Sequence, residues 1–348
     1  PPPERLPLMD AVWGQSVGGG SKGDRVACAL CKKSQKRFAR GRGLRMHVEA
    51  AHADMPLALR QATVLAAEEA APEEVLRRRT KKELPAACVA ARDGDEATLA
   101  KLRATGAWSP LDPAHRDAHG YRAHHWAAGS ETGCLEACLR YAEARAVDSL
   151  TLSERVGGSR GGRSLLHWAA RNGALAHAAL LLRQPGVRAD ARTHDGTTPL
   201  MLALYGGRLD VCELLRATLL QGGENDFGCN EAHWAAMGER PLAGLRWLAA
   251  AHFPVVGGFA TRQRHGHSVF HKLAHSPSAP SSPDHLLPAL QCVLDVFLSS
   301  GDDGQKALAE ALEPDASGRR ASDIARCLGL AHLAAALHDI EASHGRGV

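Results

Sequence analysis

Apolar positions along the chain fall in short blocks separated by polar segments that contain glycine or proline. The blocks at Leu175–Leu182, Val211–Leu215 and Leu242–Leu248 are rich in leucine and predict short helices. Another apolar set predicts a helix within residues 54–83, which ends in the basic run Arg77–Lys82. No run of about 18 apolar residues occurs, so the pattern predicts no membrane-spanning helix.

The helical blocks carry a regular internal marker, a glycine that stands five residues before a histidine or its substitute. The pairs are Gly120 with His125, Gly162 with His167, Gly196 with Met201, Gly228 with His233 and Gly266 with His271. Three of the histidines open near-identical His-Trp-Ala-Ala stretches. The glycines are 42, 34, 32 and 38 residues apart. A period near 33 is the length of a β-turn followed by two short antiparallel helices.

These markers resemble the ankyrin repeat, whose hallmark is a glycine turn, then Thr-Pro-Leu-His and a pair of alanines. Residues 195–200, Asp-Gly-Thr-Thr-Pro-Leu, carry that wording. The resemblance covers residues 84–340, about six to seven units, and is weakest at the two ends. It implies an all-α repeat solenoid whose concave surface holds another macromolecule. Because one helix pair cannot bury its apolar face alone, stacked neighbours must form the core.

The remaining sequence predicts four further segments. Residues 1–23 are a Pro/Gly-rich disordered segment, 24–53 a small ββα zinc-finger module, 54–83 a connecting helix and 341–348 a tail. Within the array, the stretches 147–162 and 276–285 break the period and predict surface loops.

The predicted zinc ligands follow the spacing Cys-x2-Cys, fifteen residues, His-x4-His. They are Cys28, Cys31, His47 and His52. Two thiolates on a turn and two imidazoles on one helical face can close a tetrahedral Zn²⁺ shell. A module of this size has almost no core, so the metal would supply about 10–16 kcal/mol of apparent binding free energy. The spacing resembles the two-Cys, two-His zinc finger, except that six residues separate Cys31 from Phe38 where that family has three.

Positive charge is concentrated in this module. Residues 22–52 hold nine Lys and Arg against two acidic residues, a net charge of +7 that leaves −3 for the rest of the chain. The residues predicted to meet nucleic acid are Lys32, Lys33, Lys36, Arg37, Arg40, Arg42 and Arg45. A single finger spans about 3 base pairs, so the expected contact is with phosphate backbone rather than with base sequence. A solvated basic face with no ligand is the alternative.

Two other clusters have structural and functional interpretations. His265, His267, His271 and His275 have spacing that suits a metal, but His271 occupies the repeat position where the family's histidine bonds backbone between repeats, and we expect that structural role. The recurring tryptophans Trp126, Trp168 and Trp234 predict a ladder between repeats rather than an exposed aromatic stripe.

The chain carries no recognisable catalytic motif, so we expect a non-enzymatic binding protein. Nine scattered cysteines favour a reducing compartment, nucleus or cytoplasm, over a disulfide framework. Arg77–Lys82 suits either a nuclear localisation signal or a charged helix end. An organelle signal before Pro1 stays open.

The leading hypothesis is a scaffold whose array binds a protein, with zinc and a second contact in the finger. Alternatives are a nucleic-acid-associated factor, such as a chromatin regulator or a component of an RNA–protein particle, and an adaptor for a modifying enzyme. By resemblance, hairpin tips and inner helices would contact the partner. The predicted contact residues are Arg171, Asn172, His194, Asp195, Tyr205, Asp226, Phe227, Met237, Arg264 and His265.

Overall fold

The computed structural model describes residues 25–27, 37–39, 84–141, 162–250, 255–276 and 286–344, apart from 111, 113–114, 118–119 and 222. The chain divides into two compact units, Pro1–Glu83 and Leu84–Val348. Several predicted features lie outside the described residues: the segment 1–23, the connecting helix, the four zinc ligands and nearly all of both predicted loops. No helix in the described ranges has both the length and the apolar character that a bilayer span requires.

In the first unit, two short strands form an antiparallel hairpin. Strand β1 is Arg25–Ala27 and strand β2 is Arg37–Ala39, with Val26 opposite Phe38. Cys28 and Cys31 fall on the connection between these strands in the sequence. The helix predicted to complete the module lies outside the described residues, so the zinc finger stays a prediction.

The second unit is built from short helices in inner and outer pairs. The helices are α1 Ala86–Asp93, α2 Glu96–Ala104, α3 Ala123–Ala128, α4 Leu135–Tyr141, α5 Leu165–Asn172, α6 Leu175–Leu182, α7 Pro199–Gly206, α8 Leu209–Leu214, α9 Glu231–Ala236, α10 Pro241–Ala250, α11 Val255–Ala260, α12 Val269–Leu273, α13 Leu286–Leu298, α14 Gly301–Ala311, α15 Ala321–Cys327 and α16 Ala331–His344. Successive inner helices α3, α5, α7, α9, α12 and α15 contact one another in chain order or through their outer partners. The helical stack predicted from the repeats is therefore present.

Alanines form the contact between neighbouring inner helices. Ala127, Ala169 and Ala235 are fully buried, and they replace large side chains where helices approach closely. Leucines of the outer helices, such as Leu181 and Leu245, are buried against them. Burial of a leucine side chain contributes about 1.5–3 kcal/mol, and here each such contribution depends on an adjacent repeat.

Each repeat begins with a turn closed by a glycine at positive φ. In the turn 193–197, Gly196 has φ +78° and its N–H donates to the Thr193 carbonyl at 3.1 Å. The same pattern recurs in the turns 117–121, 225–229, 263–267 and 315–319. A side chain at Gly228 would be strained by its φ of +76° and would place Cβ 3.1 Å from the Arg264 backbone nitrogen.

Two additional helices lengthen the interval between Gly228 and Gly266 and the interval between Gly266 and Gly318. Helix α11 is inserted before the turn 263–267, and α14 is inserted before the turn 315–319. The two inserted helices contact each other, and Phe259 of α11 is fully buried. The last helix continues to His344, and Glu341 accepts hydrogen bonds from the Ser322 N–H and hydroxyl. The predicted tail from 341 is therefore wrong in its first residues, because Glu341 caps α15.

Histidines join one repeat to the next. The His167 Nδ1 accepts from the Ser164 N–H at 3.2 Å, and its Nε2 lies 3.1 Å from the Thr197 carbonyl of the following turn. His233 bridges to the His267 carbonyl at 3.1 Å, and His271 bridges to the Arg319 carbonyl at 3.2 Å. The structural role predicted for His271 is thus confirmed. Because Nδ1 accepts, the imidazole must be neutral with its proton on Nε2.

Burial holds these imidazoles in the neutral form. It lowers the pKa of His167 and His271 to about 4, and that of His125 and His233 to about 3. Where the repeat has Met201 instead, the Thr198 hydroxyl accepts from the Met201 N–H at 3.2 Å. In the last unit, Asp323 takes the histidine's place and accepts from the Arg320 N–H at 3.0 Å.

Acid is expected to unfold the array in the range where these histidines would titrate if exposed. Folded pKa values below 6.5 mean that the unfolded chain binds more protons, so stability is full above about pH 6.5 and falls as the pH drops towards 4. Each neutral histidine should cost roughly 1 kcal/mol per pH unit below 6.5. Urea unfolding at a series of pH values between 7 and 5 measures this slope. His167→Gln should reduce the pH dependence of the free energy of unfolding by the contribution of one proton. A free energy of unfolding that does not change between pH 7 and 5 in the unsubstituted protein would contradict the bridge.

A buried carboxyl should change stability in the opposite direction. Glu231, at the first position of α9, is buried, and this raises its pKa to about 7. Its raised pKa means that the folded state loses stability as the pH rises from about 4.5 to 7. Glu231→Gln should therefore stabilise the protein by about 1–3 kcal/mol at pH 8, and the gain should disappear near pH 4.5. Comparison of urea midpoints at those two pH values tests it. A loss of stability at pH 8 would show that the carboxylate has a partner it needs.

Candidate interaction surface of the repeat array

The turns of successive repeats are linked at their tips by backbone hydrogen bonds. The Asp226 N–H donates to the Asp195 carbonyl, the Arg264 N–H to the Phe227 carbonyl and the Ala316 N–H to the His265 carbonyl, each at 2.9 Å. The turns therefore form one continuous edge across four repeats. We call the six predicted contact residues on this edge the tip row: His194, Asp195, Asp226, Phe227, Arg264 and His265.

The tip row presents side chains to solvent at repeated positions. Five of its residues are exposed, and only Asp195 is half-buried. Phe227 is 48% exposed, the largest value among the exposed large apolar side chains of the described residues. Asp195 is partly occupied within its own turn, because its carboxylate accepts from the Thr193 hydroxyl. An exposed aromatic ring between charged and imidazole groups has the composition of a protein contact surface.

The tips are held rigidly from behind by arginines. Arg192 donates to the Glu224 carbonyl at 2.9 Å in the next repeat. Arg262 donates to the Glu310 carbonyl at 3.0 Å and also to the Pro314 carbonyl. These side chains join the base of one turn to the base of the following one, so the tip row keeps its spacing.

The other four predicted contact residues are packed within the array. Arg171 and Tyr205 are each 7% exposed, and the Arg171 guanidinium carbon lies 4.7 Å from the Tyr205 ring centroid. Asn172 and Met237 are half-buried at the ends of α5 and α9. Arg171 and Tyr205 therefore contribute to contacts between repeats, and the tip row is the more exposed part of the predicted contact set.

The tryptophans form an interrupted ladder. The Trp126 and Trp168 rings meet edge to face at 5.2 Å, as predicted. The next repeat has Leu202 at this position, so Trp234 instead meets the Tyr205 ring at 5.9 Å. The predicted ladder is thus correct for the first pair and wrong for Trp234, because the methionine-containing repeat lacks the tryptophan.

The histidines near residue 270 stack instead of converging on a metal. The His267 ring lies parallel to His271 at 5.4 Å and nearly parallel to His275 at 5.8 Å. His267 Nε2 is 3.2 Å from the buried Asp315 carboxylate. Within the described residues, no group of three or more metal-ligating side chains is arranged to hold an ion.

Sequence reasoning missed a group of polar residues at the ends of the inner helices. Arg208, Glu239 and Arg240 follow the helix-end glycines, and Glu239 is 2.5 Å from Arg171. The available signal was the unusual run Gly206-Gly207 beside Arg208. Glycines at these points leave room for long side chains of neighbouring repeats, which a single-repeat pattern does not reveal.

Comparison with known families supports the repeat assignment. The family model described as ankyrin repeats in three copies matches the chain over residues 137–219 and 166–256. Residues 137–256, in the middle of the second unit, are therefore similar to ankyrin repeats, a family of modules that generally bind proteins. No curated protein shows significant similarity to the chain.

Proposed function

We propose that this protein is a non-enzymatic scaffold whose ankyrin array holds a protein partner along the tip row. The observation that carries the proposal is the continuous hydrogen-bonded edge of turns with exposed side chains at each tip. A pre-ordered edge loses little conformational entropy on binding, which favours affinity. The reducing compartment expected from the cysteines, nucleus or cytoplasm, is part of the same proposal.

The cysteines of the array support this choice of compartment. Within the described residues the seven cysteines are free, and five of them are buried as small apolar side chains. Burial raises the pKa of Cys88 and Cys212 to about 12, so these thiols are unreactive.

A second contact is proposed for the N-terminal module, which would bind Zn²⁺ through Cys28, Cys31, His47 and His52. The hairpin of β1 and β2 supports a ββα module, since the cysteine pair falls on its connection. When bound, zinc would fix the module's fold. The net charge of +7 over residues 22–52 favours contact with a phosphate backbone.

Alanine substitutions in the tip row should abolish partner binding. The variant carries His194→Ala, Phe227→Ala, Arg264→Ala and His265→Ala in the full chain. Its matched control carries Leu214→Ala and Arg246→Ala, two exposed positions on the outer helices α8 and α10. Affinity purification with quantitative mass spectrometry should show loss of about tenfold or more for a partner that the control retains. Equal recovery of every partner by both variants would overturn the array proposal.

Replacement of one zinc ligand should remove both the metal and the second contact. In the full chain, Cys31→Ser should lower the zinc content by about one ion per molecule, and it should weaken binding of a generic RNA duplex at low salt. Elemental analysis and a salt titration of RNA binding measure the two effects. Cys327→Ser, at a half-buried free cysteine, is the control. Unchanged zinc content in Cys31→Ser would disprove the finger.

A further inference from the structure

Glycines at the ends of two inner helices lie beneath arginines of the next repeat. A Cβ placed on Gly173, after α5, would come within 2.8 Å of Arg208 Cδ. A Cβ on Gly207, after α7, would come within 2.7 Å of Arg240 Cβ. Each arginine stem therefore rests on the preceding helix end, and this packing fixes where its guanidinium can reach.

The Arg171 side chain lies in the same region and extends past the next repeat to reach a residue of the one after it. Its Nη1 passes 3.0 Å from the position a Cβ on Gly206 would occupy, and its Nη2 reaches Glu239 at 2.5 Å. The Arg171 side chain is 8% exposed and stacks on the Tyr205 ring. Three arginines of three successive repeats, Arg171, Arg208 and Arg240, thus share one surface with Glu239. We call these four residues the arginine patch.

The arginine patch contains more positive charge than its carboxylates neutralise. Glu239 pairs with Arg171, but among the described residues no carboxylate lies within ion-pair distance of Arg208 or Arg240. The buried Arg208 Nε also has no hydrogen-bond acceptor among the described residues. Burial lowers the pKa of Arg208 and the charges of Arg171 and Arg240 add to the shift, whereas the carboxylates of Glu239 and, more weakly, Glu131 oppose it.

An unpaired, half-buried guanidinium is costly, because it has lost part of its hydration without gaining an acceptor. A carboxylate placed against Arg208 would recover that cost through charge-assisted hydrogen bonds, which the planar guanidinium can form in pairs. Arg240, exposed and one repeat further along, offers a second position of the same kind. The spacing therefore suits a ligand with several carboxylates in sequence.

We propose that the arginine patch binds an acidic segment of a protein partner, whose carboxylates pair with Arg208 and Arg240. The inference rests on the proposed protein-binding function and adds the chemistry of the partner. Glu239 would repel phosphates and carboxylates alike, so the choice between the two ligands depends on base stacking. Nucleic acid fits the patch less well, because the neighbouring rings of Tyr205 and Trp234 are too buried to stack with bases.

The test uses a fluorescein-labelled dodecapeptide of alternating Asp and Glu, with the corresponding Asn and Gln peptide as the neutral control. Fluorescence anisotropy with the full chain should show salt-sensitive binding of the acidic peptide and weak binding of the neutral one. The variant Arg208→Gln with Arg240→Gln should weaken acidic-peptide binding about tenfold or more. Arg246→Gln, an exposed arginine on the outer helix α10, should leave the affinity unchanged and controls for the loss of positive charge outside the patch.

Two further variants guard against a folding artefact. Arg240 is exposed, so Arg240→Gln alone should preserve the fold and still weaken binding severalfold. Glu239→Gln removes the competing carboxylate and should tighten binding. Thermal melting of each variant shows whether the array remains folded.

Several results would overturn the inference. These are no binding of the acidic peptide at low salt, equal binding of the neutral peptide, or equal affinities of the double variant and Arg246→Gln. Displacement of the peptide by a dodecanucleotide RNA that itself needs Arg208 and Arg240 would assign the patch to nucleic acid instead. If the patch variants have no effect while the tip-row variant still loses its partner, only the acidic-partner inference fails. The converse result leaves the patch standing and removes the tip-row proposal.

Discussion

A neutral imidazole joins one repeat to the next at His167, His233 and His271, and this bridge is the constraint on which the array depends. The His167 imidazole accepts from the N–H of Ser164, the residue that caps its own inner helix, and bonds a carbonyl of the next turn, so it fixes helix start and repeat spacing together. Both groups are buried, and an unsatisfied buried backbone group costs about 1–3 kcal/mol. A charged imidazole would lose its acceptor at Nδ1 and carry an unpaired charge into the core. The stack is therefore stable only where these histidines stay unprotonated.

The same spacing creates the proposed binding surface. Once adjacent turns are held in register, their tips align and their backbones bond along the edge, as between Asp195 and Asp226. The side chains on that edge then point from a rigid base, while the inner-helix ends bring together arginines from three repeats. The proposed binding features of this chain thus belong to no single repeat. They arise from the register, which is why loss of one buried contact can disturb a distant part of the surface.

The sequence predicted the repeat helices well, because the recurring glycine and histidine report two requirements of the backbone. Gly228 supplies positive φ in its turn, and His233 supplies the bridge. Inserted helices α11 and α14 were not predicted, since they fall between markers and carry no repeat wording. The ring that Trp234 contacts also depends on the preceding repeat, because Leu202 takes the place of a tryptophan there and ends the ladder.

Prediction of the surface was less complete for a physical reason. Exposure of Phe227 follows from its place at a turn tip, which one repeat reveals. Burial of Arg171 cannot be inferred from one repeat, because it depends on Gly206 and Glu239 in two later repeats. Where a side chain crosses from one repeat to another, its position depends on residues that are far apart in the chain. A pattern within one repeat therefore cannot predict it.

The most direct test of the bridge is the protonation state of the histidines themselves. With nitrogen-15 in the imidazoles, NMR of the full chain at pH 5 should show His167, His233 and His271 as neutral rings with the proton on Nε2. A free histidine-containing peptide at the same pH supplies the reference shifts of the charged ring. If His167, His233 and His271 instead titrate near pH 6.5, the ordinary value for histidine, while the chain remains folded, the bridging account is wrong.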